Sequence, residues 1–118
     1  MIKLKRVYEH VDVTDGTRVL VDRLWPRGLR RNTPNIDVWV KDIAPTAELR
    51  KWFAHDPKKW MGFKAKYLAE LEDNKAVAHL LQLIRSTDPV TFVYSSVDVE
   101  HNNAVVLCEF LKRKFKIE

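Results

Sequence analysis

The run Val90-Thr91-Phe92-Val93-Tyr94 sets the fold class, together with the polar stretch Ser95 to Asn103 and the apolar run Ala104-Val105-Val106-Leu107-Cys108 after it. A short continuous apolar run bounded by turn residues is the pattern of a central strand covered on both faces. The next apolar segment opens a helix from about Asn103 to Lys114. Its first half is apolar nearly all round, so it must be largely buried. Its end carries Lys112, Arg113, Lys114 and Lys116, which suit the negative end of the helix dipole. A strand, a polar loop and a buried helix in succession make one half of an α/β unit.

Upstream, Ile2, Leu4 and Val7 sit among Lys3, Lys5 and Arg6, as in a strand with one wet face, and Tyr8 continues it. Asp15-Gly16 is a turn, and Thr17 to Leu24 forms a second strand. Only the eight residues Glu9 to Gly16 join the two. A parallel crossover takes about a dozen or more. The spacing therefore predicts antiparallel neighbours or a tight, unusual connection. Trp25-Pro26-Arg27-Gly28 is an ordered loop, with proline fixing φ and glycine permitting φ above zero. Leu29 to Asn32 is expected to form a helical turn, and Asp37 to Lys41 a short strand. Thr46 caps a short helix through Phe53. Asp56-Pro57 starts another helix, with the stripe Trp60, Phe63, Tyr67 and Leu71. Beyond Asn74, Val77, Leu80, Leu81 and Ile84 mark a third, which Ser86 to Pro89 ends. The expected fold is α/β, a single domain over residues 1–118. It is a small layered fold, with a short, mostly parallel or mixed sheet and packed helices.

Composition narrows the function. At 46% apolar and 31% charged residues the chain is globular rather than disordered. No apolar run approaches a membrane span, and the first residues lack the apolar core of a secretory signal, so a cytoplasmic protein without membrane association is expected. Cys108 is the only cysteine, which excludes an intrachain disulfide and a cysteine zinc site. Cys108 lies inside an apolar helix, where a thiol stays protonated and inert. His10, His55, His79 and His101 are isolated, so no metal is expected. A site built from Asp22, His55 and His101 is the weaker option. Three glycines cannot make a dinucleotide or phosphate-cradling loop at the needed spacings, and no cofactor is expected.

In open α/β sheets, ligands sit beyond the carboxyl ends of the strands. That rule points to Asp22–Arg31 and Ser95–Asn103, which converge if their strands are parallel neighbours. The first holds Arg23, Arg27, Arg30 and Arg31, four arginines in nine residues. Arginine's planar fork suits phosphate and carboxylate. The second enters a helix N-terminus, where free N–H groups favour anions. The leading expectation is a crevice for a small anionic ligand, phosphorylated or carboxylated. There Arg23, Arg27, Asn102 and Asn103 bind the anion. His101 is general acid–base, oriented by Asp22 or Asp98, should the site be catalytic. Trp25, His55, Ser95, Ser96 and Asp98 are further pocket candidates. Against this stand plain alternatives: Asp22 paired with an arginine, Trp25 as a core anchor, Asn102 or Asn103 as a helix cap, Asp56 as an N-cap. Arg30 and Arg31 on their own are ordinary solvated charge.

Two other classes remain open. A net charge of +5, with basic clusters at Arg23–Arg31 and Lys112–Lys116, suits a nucleic-acid-binding module. The sequence carries no helix-turn-helix, zinc-finger or RNA-recognition signature, and aromatic residues do not alternate with basic ones along one strand face. Four tryptophans, Trp25, Trp39, Trp52 and Trp60, suit a protein-interaction surface. Trp52 and Trp60 fall on helix stripes and are expected in the core.

Four runs taken together resemble a known family. They are Arg18-Val19-Leu20-Val21-Asp22-Arg23-Leu24-Trp25-Pro26-Arg27-Gly28, Ala44-Pro45 to Phe53, His55-Asp56-Pro57 to Trp60, and Glu100-His101-Asn102-Asn103-Ala104-Val105-Val106-Leu107. The chain is similar to the bacterial YeaO-like proteins of a larger domain-of-unknown-function group. The resemblance implies a single small α/β domain in a prokaryotic cytoplasm and no particular activity. Its runs include Asp22, Arg23, Arg27, His55 and His101 without assigning them roles. Ser95-Ser96 departs from the small residues, often alanine, expected after the central strand, which argues against a shared serine nucleophile.

Overall fold

The computed structural model describes residues 1–118. Four parallel strands form one sheet: β1 (Ile2–Arg6), β2 (Thr17–Leu20), β3 (Val38–Trp39) and β4 (Val90–Tyr94), in the order β1-β4-β2-β3. β4 is central. It runs from Ile2 opposite Val90 to Arg6 opposite Tyr94 on one side, and from Thr17 opposite Val90 to Leu20 opposite Val93 on the other. All five of its residues are buried, as the apolar run predicts.

The helices are α1 (Ala47–Phe53), α2 (Trp60–Glu72), α3 (Ala76–Thr87) and α4 (Asn103–Phe115). Their caps follow the sequence signals. The Thr46 side chain accepts from the Leu49 amide, Asp56 caps the 3-10 turn Pro57–Lys59 that leads into α2, and Asn102 accepts from the Val105 amide. None of these helices is long and apolar enough to cross a membrane.

Strand alternation divides the interior in two. Ile2, Val19, Val21, Val90, Phe92 and Tyr94 face the helices and join Leu49, Phe63, Leu71, Leu80, Ile84 and Leu107 in the main core. The opposite face carries a smaller core of Val7, Leu20, Ile36 and Val93, with Trp25, Leu29 and Trp39 packed on it. Loops, not helices, cover this second face.

The connection between β1 and β2 is the unusual one that the spacing allows. Both strands pair in parallel with β4, so the short segment between them crosses over it. A buried arginine organises the crossing. The Arg18 side chain is wholly buried. Its Nη1 donates to Asp15 Oδ2 (2.7 Å), its Nη2 to the carbonyls of Val7 (3.3 Å) and Glu9 (3.2 Å), and its Nε to the Asn35 carbonyl (2.7 Å). Lys5 also reaches Asp15, at 3.0 Å. Burial alone raises the Asp15 carboxyl, but the Asp12 amide, Lys5 and Arg18 outweigh it and hold it at about 2. Every buried side-chain nitrogen and oxygen has a partner, so this polar cluster is fully satisfied.

Some boundaries differ from the sequence expectation. β1 stops at Arg6, and Tyr8 turns outward with its hydroxyl on the Arg27 carbonyl (2.8 Å). β2 stops at Leu20; Asp22 leaves the ladder because its carboxylate turns to Ser95 and its carbonyl accepts from the Trp39 indole. Leu29 to Asn32 is not a helical turn. The Leu29 amide bonds the Pro26 carbonyl and the Thr33 amide the Arg30 carbonyl, giving two successive turns.

Candidate functional site

Because β2 and β4 are parallel neighbours, the segments after them in the chain lie side by side. Asp22 Oδ2 accepts from both the Ser95 amide (2.9 Å) and the Ser95 hydroxyl (2.7 Å). Asn103 Nδ2 donates to the Val21 carbonyl at 3.0 Å. Arg6, at the end of β1, adds Nε to the Ser96 carbonyl (2.9 Å) and Nη2 to the Ser95 carbonyl (3.1 Å). Three strand ends are thus tied into one polar rim.

Most of the donors expected to hold an anion also make hydrogen bonds within this scaffold. Arg23 donates from Nε to the Pro45 carbonyl (3.0 Å) and from Nη2 to the Ala44 carbonyl (3.1 Å), anchoring the entry to α1. Asn102 is buried, caps α4, and donates to the Asp98 carbonyl at 2.9 Å. The Asn103 side chain donates to the Val21 carbonyl. Arg27 is the exception: its side chain is exposed and only its carbonyl is engaged.

His101 is paired with Asp98, not Asp22. Its Nδ1 lies 3.0 Å from Asp98 Oδ2, and its ring meets Trp60 edge-on at 5.1 Å. The Glu100 amide first, then the His101 amide and ring, hold the Asp98 carboxyl below its ordinary range against the opposing effect of burial. Ser96 Oγ accepts from the Asp98 amide, closing the same loop. His55 is exposed, at φ +57°, beside Phe53, which packs on Trp60. His55 and His101 therefore flank one aromatic row on the helical side. Arg27 belongs to the loop over the opposite face, so the expected partnership of Arg27 with His101 across one crevice has no direct contact behind it.

Basic and aromatic residues converge elsewhere. Trp25 and Trp39 meet edge to face at 5.3 Å. The Arg31 guanidinium sits 4.7 Å from the Trp25 ring centre and 5.2 Å from that of Trp39, and Lys41 Nζ lies 5.6 Å from Trp39. Both indole N–H groups are fixed: Trp25 Nε1 donates to the Leu29 carbonyl (2.7 Å) and Trp39 Nε1 to the Asp22 carbonyl (2.8 Å). Arg27, Arg30, Arg31 and Lys41 are all exposed. Sequence reasoning treats Arg31 as plain solvated charge and misses this group. The legible signal is Trp39-Val40-Lys41, since residues two apart in an extended segment share a face. Arg6 and Arg18 are missed too: Arg6 reads as the wet side of a strand, and Arg18 draws no reading beyond its place in the second strand.

The helical tryptophans divide. Trp60 packs against the main core as expected. Trp52 does not enter it and is 38% exposed. Its ring lies over Gly62, where an added Cβ would be 2.8 Å away, with Lys59 and Lys66 beside it. The absence of a side chain at Gly62 gives the ring a seat on the surface of α2. Cys108 is buried, and burial pushes its thiol up, as expected of an inert cysteine.

Residues 1–118 match the family described as the inactive DUF488-N3 subclade. An uncharacterized protein of Mycobacterium tuberculosis is 41% identical over 110 residues, covering 93% of this chain and 92% of its own length. The uncharacterized protein YeaO of Escherichia coli is 40% identical over 111 residues, covering 94% of this chain and 96% of its own length. No solved structure matches the chain. The chain belongs to the inactive DUF488-N3 subclade, which includes its full described length.

Proposed function

We propose that this member of the inactive DUF488-N3 subclade is a binding module for nucleic acid, working through the loop and edge strand between Trp25 and Lys41. The observation that carries the reading is the Arg31 guanidinium over Trp25 and Trp39, with Lys41 beside Trp39 and Arg27 and Arg30 exposed in the same loop. Cations whose partners are aromatic faces keep their charge available to phosphate. The net charge of +5 raises the local concentration of a polyanion. A family described as inactive suits a role with no chemistry.

Salt-dependent binding of a fluorescently labelled oligonucleotide tests it. If Arg27, Arg30, Arg31 and Lys41 each neutralise one phosphate of a single strand, log K falls with log salt at a slope near −3. Affinity then drops about 50-fold between 50 and 200 mM salt. Arg27→Ala/Arg30→Ala roughly halves the slope. No binding at 50 mM salt, or binding indifferent to salt, refutes the reading.

The rim at the ends of β2 and β4 supports a second reading, a small phosphorylated or carboxylated ligand. Its supporting observation is the Asp22–Ser95 link, which gathers the two polar segments in one place. A thermal-shift panel of phosphorylated metabolites, nucleotides and carboxylates tests it. A salt-tolerant shift lost in His101→Ala favours this reading, and no shift with any of them counts against it.

A further inference from the structure

We infer that the nucleic acid taken by this loop is an unpaired strand, its bases stacked on the Arg31 guanidinium that the two tryptophan rings support. The inference rests on the nucleic-acid reading above and adds which form of the polymer is bound and by what force.

The platform is built before any ligand arrives. Trp25 and Trp39 cannot swing freely, because each indole N–H is held by a backbone carbonyl at 2.7 and 2.8 Å. Their undersides rest on the small core of Val7, Leu20, Ile36 and Val93. Arg31 lies over both rings and is exposed, so its guanidinium is open to solvent. A guanidinium plane accepts a stacked base, and every base has a face to offer it. The indole donors are already used, so the site reads stacking rather than base edges.

The same residues fit a duplex poorly. Reading a major groove takes a helix or a two-stranded ribbon. Here the cations stand on two successive turns and on Lys41, just beyond a two-residue edge strand. No helix carries Arg27, Arg30 or Arg31, and Lys41 opens only a single 3-10 turn. A flexible single strand can bring a base onto Arg31 and a phosphate to Lys41 or Arg30 at once. A stacked duplex hides its base faces.

Arg31→Lys separates the two contributions. It keeps the positive charge and loses the plane. The experiment compares three labelled probes at 50 mM salt: a twelve-residue oligoadenylate strand, an abasic strand of the same length, and a twelve-base-pair duplex. The wild-type chain is expected to bind the adenine strand at least about tenfold more tightly than the abasic one. The duplex binds more weakly than the adenine strand, and tryptophan emission falls only with the adenine strand. Arg31→Lys, checked for folding by circular dichroism, collapses the adenine-to-abasic ratio toward one and leaves the salt slope unchanged. Equal binding of abasic and adenine strands, a preference for duplex, or an unchanged ratio in Arg31→Lys overturns the stacking inference, with nucleic-acid binding itself intact. Failure of all three probes to bind overturns the function reading along with it.

Discussion

Arg18→Met probes the buried crossover directly. Methionine approximates the arginine stem in length but removes all its donors. The Val7 carbonyl keeps a second donor in Asn35 Nδ2 (2.8 Å), and the His10 carbonyl, 3.5 Å from Arg18 Nη1, keeps Lys5 Nζ (3.0 Å). The carbonyls of Asn35 and Glu9 lose the arginine, and Glu9 is exposed enough for water to replace it. The main loss falls on Asp15, which is 2% exposed and is left with Lys5 and the Asp12 amide. Removing one partner of a buried pair costs about 3–5 kcal/mol. The surviving lysine puts Arg18→Met near the lower end, about 3 kcal/mol. For a domain of this size that lowers the midpoint by roughly 10–20 °C. Urea unfolding followed by tryptophan fluorescence measures it. Arg18→Met/Asp15→Leu removes the stranded charge and is expected to regain part of the loss. A loss below about 1 kcal/mol in the single variant refutes the claim that Arg18 holds the crossover.

Three further outcomes come from the same packing. Asp15 is held at about 2 against an ordinary 3.8. Its contribution of about 2 kcal/mol is therefore present above pH 4 and lost as pH falls through 2, and Asp15→Asn should flatten that part of an acid-unfolding profile. Gly16 sits at φ +63°, and a Cβ there would lie 2.0 Å from the Pro89 carbonyl oxygen, so Gly16→Ala should cost at least about 1–3 kcal/mol in urea unfolding. Asn102→Ala removes the α4 cap and the bond to the Asp98 carbonyl, for an expected loss of about 1–2 kcal/mol in thermal unfolding.

What the sequence disclosed was decided by periodicity. β4 is continuously apolar and the first half of α4 nearly all-round apolar, α1 carries a recognisable cap and α3 a helical stripe, so local pattern and tertiary packing agree there. The β1–β2 crossing was not legible as a parallel connection. Its determinant is a charged residue in a strand, and Arg18 looks like solvent-facing charge until Asp15 and the carbonyls of Val7, Glu9 and Asn35 are gathered around it. The site divides in the same way. The approach of Asp22 to Ser95 was foreseeable from the rule on strand ends. The engagement of Arg23 with Ala44 and Pro45 was not, because carbonyl partners more than twenty positions away leave no local mark. The meeting of Arg31 with Trp25 and Trp39 depends on a loop folding back over an edge strand, which strand alternation alone cannot express.

If the face built from Trp25, Arg31, Trp39 and Lys41 meets nucleic acid, the contact is visible residue by residue. Nitrogen-15 labelled protein is titrated with an unlabelled adenine strand at 50 mM salt. The indole N–H signals of Trp25 and Trp39 are expected to shift, with the amides of Arg27 to Arg31, while those of Trp52 and Trp60 stay in place. Shifts confined to Ser95–Asn103, or no shift at all, would rule out binding at this face.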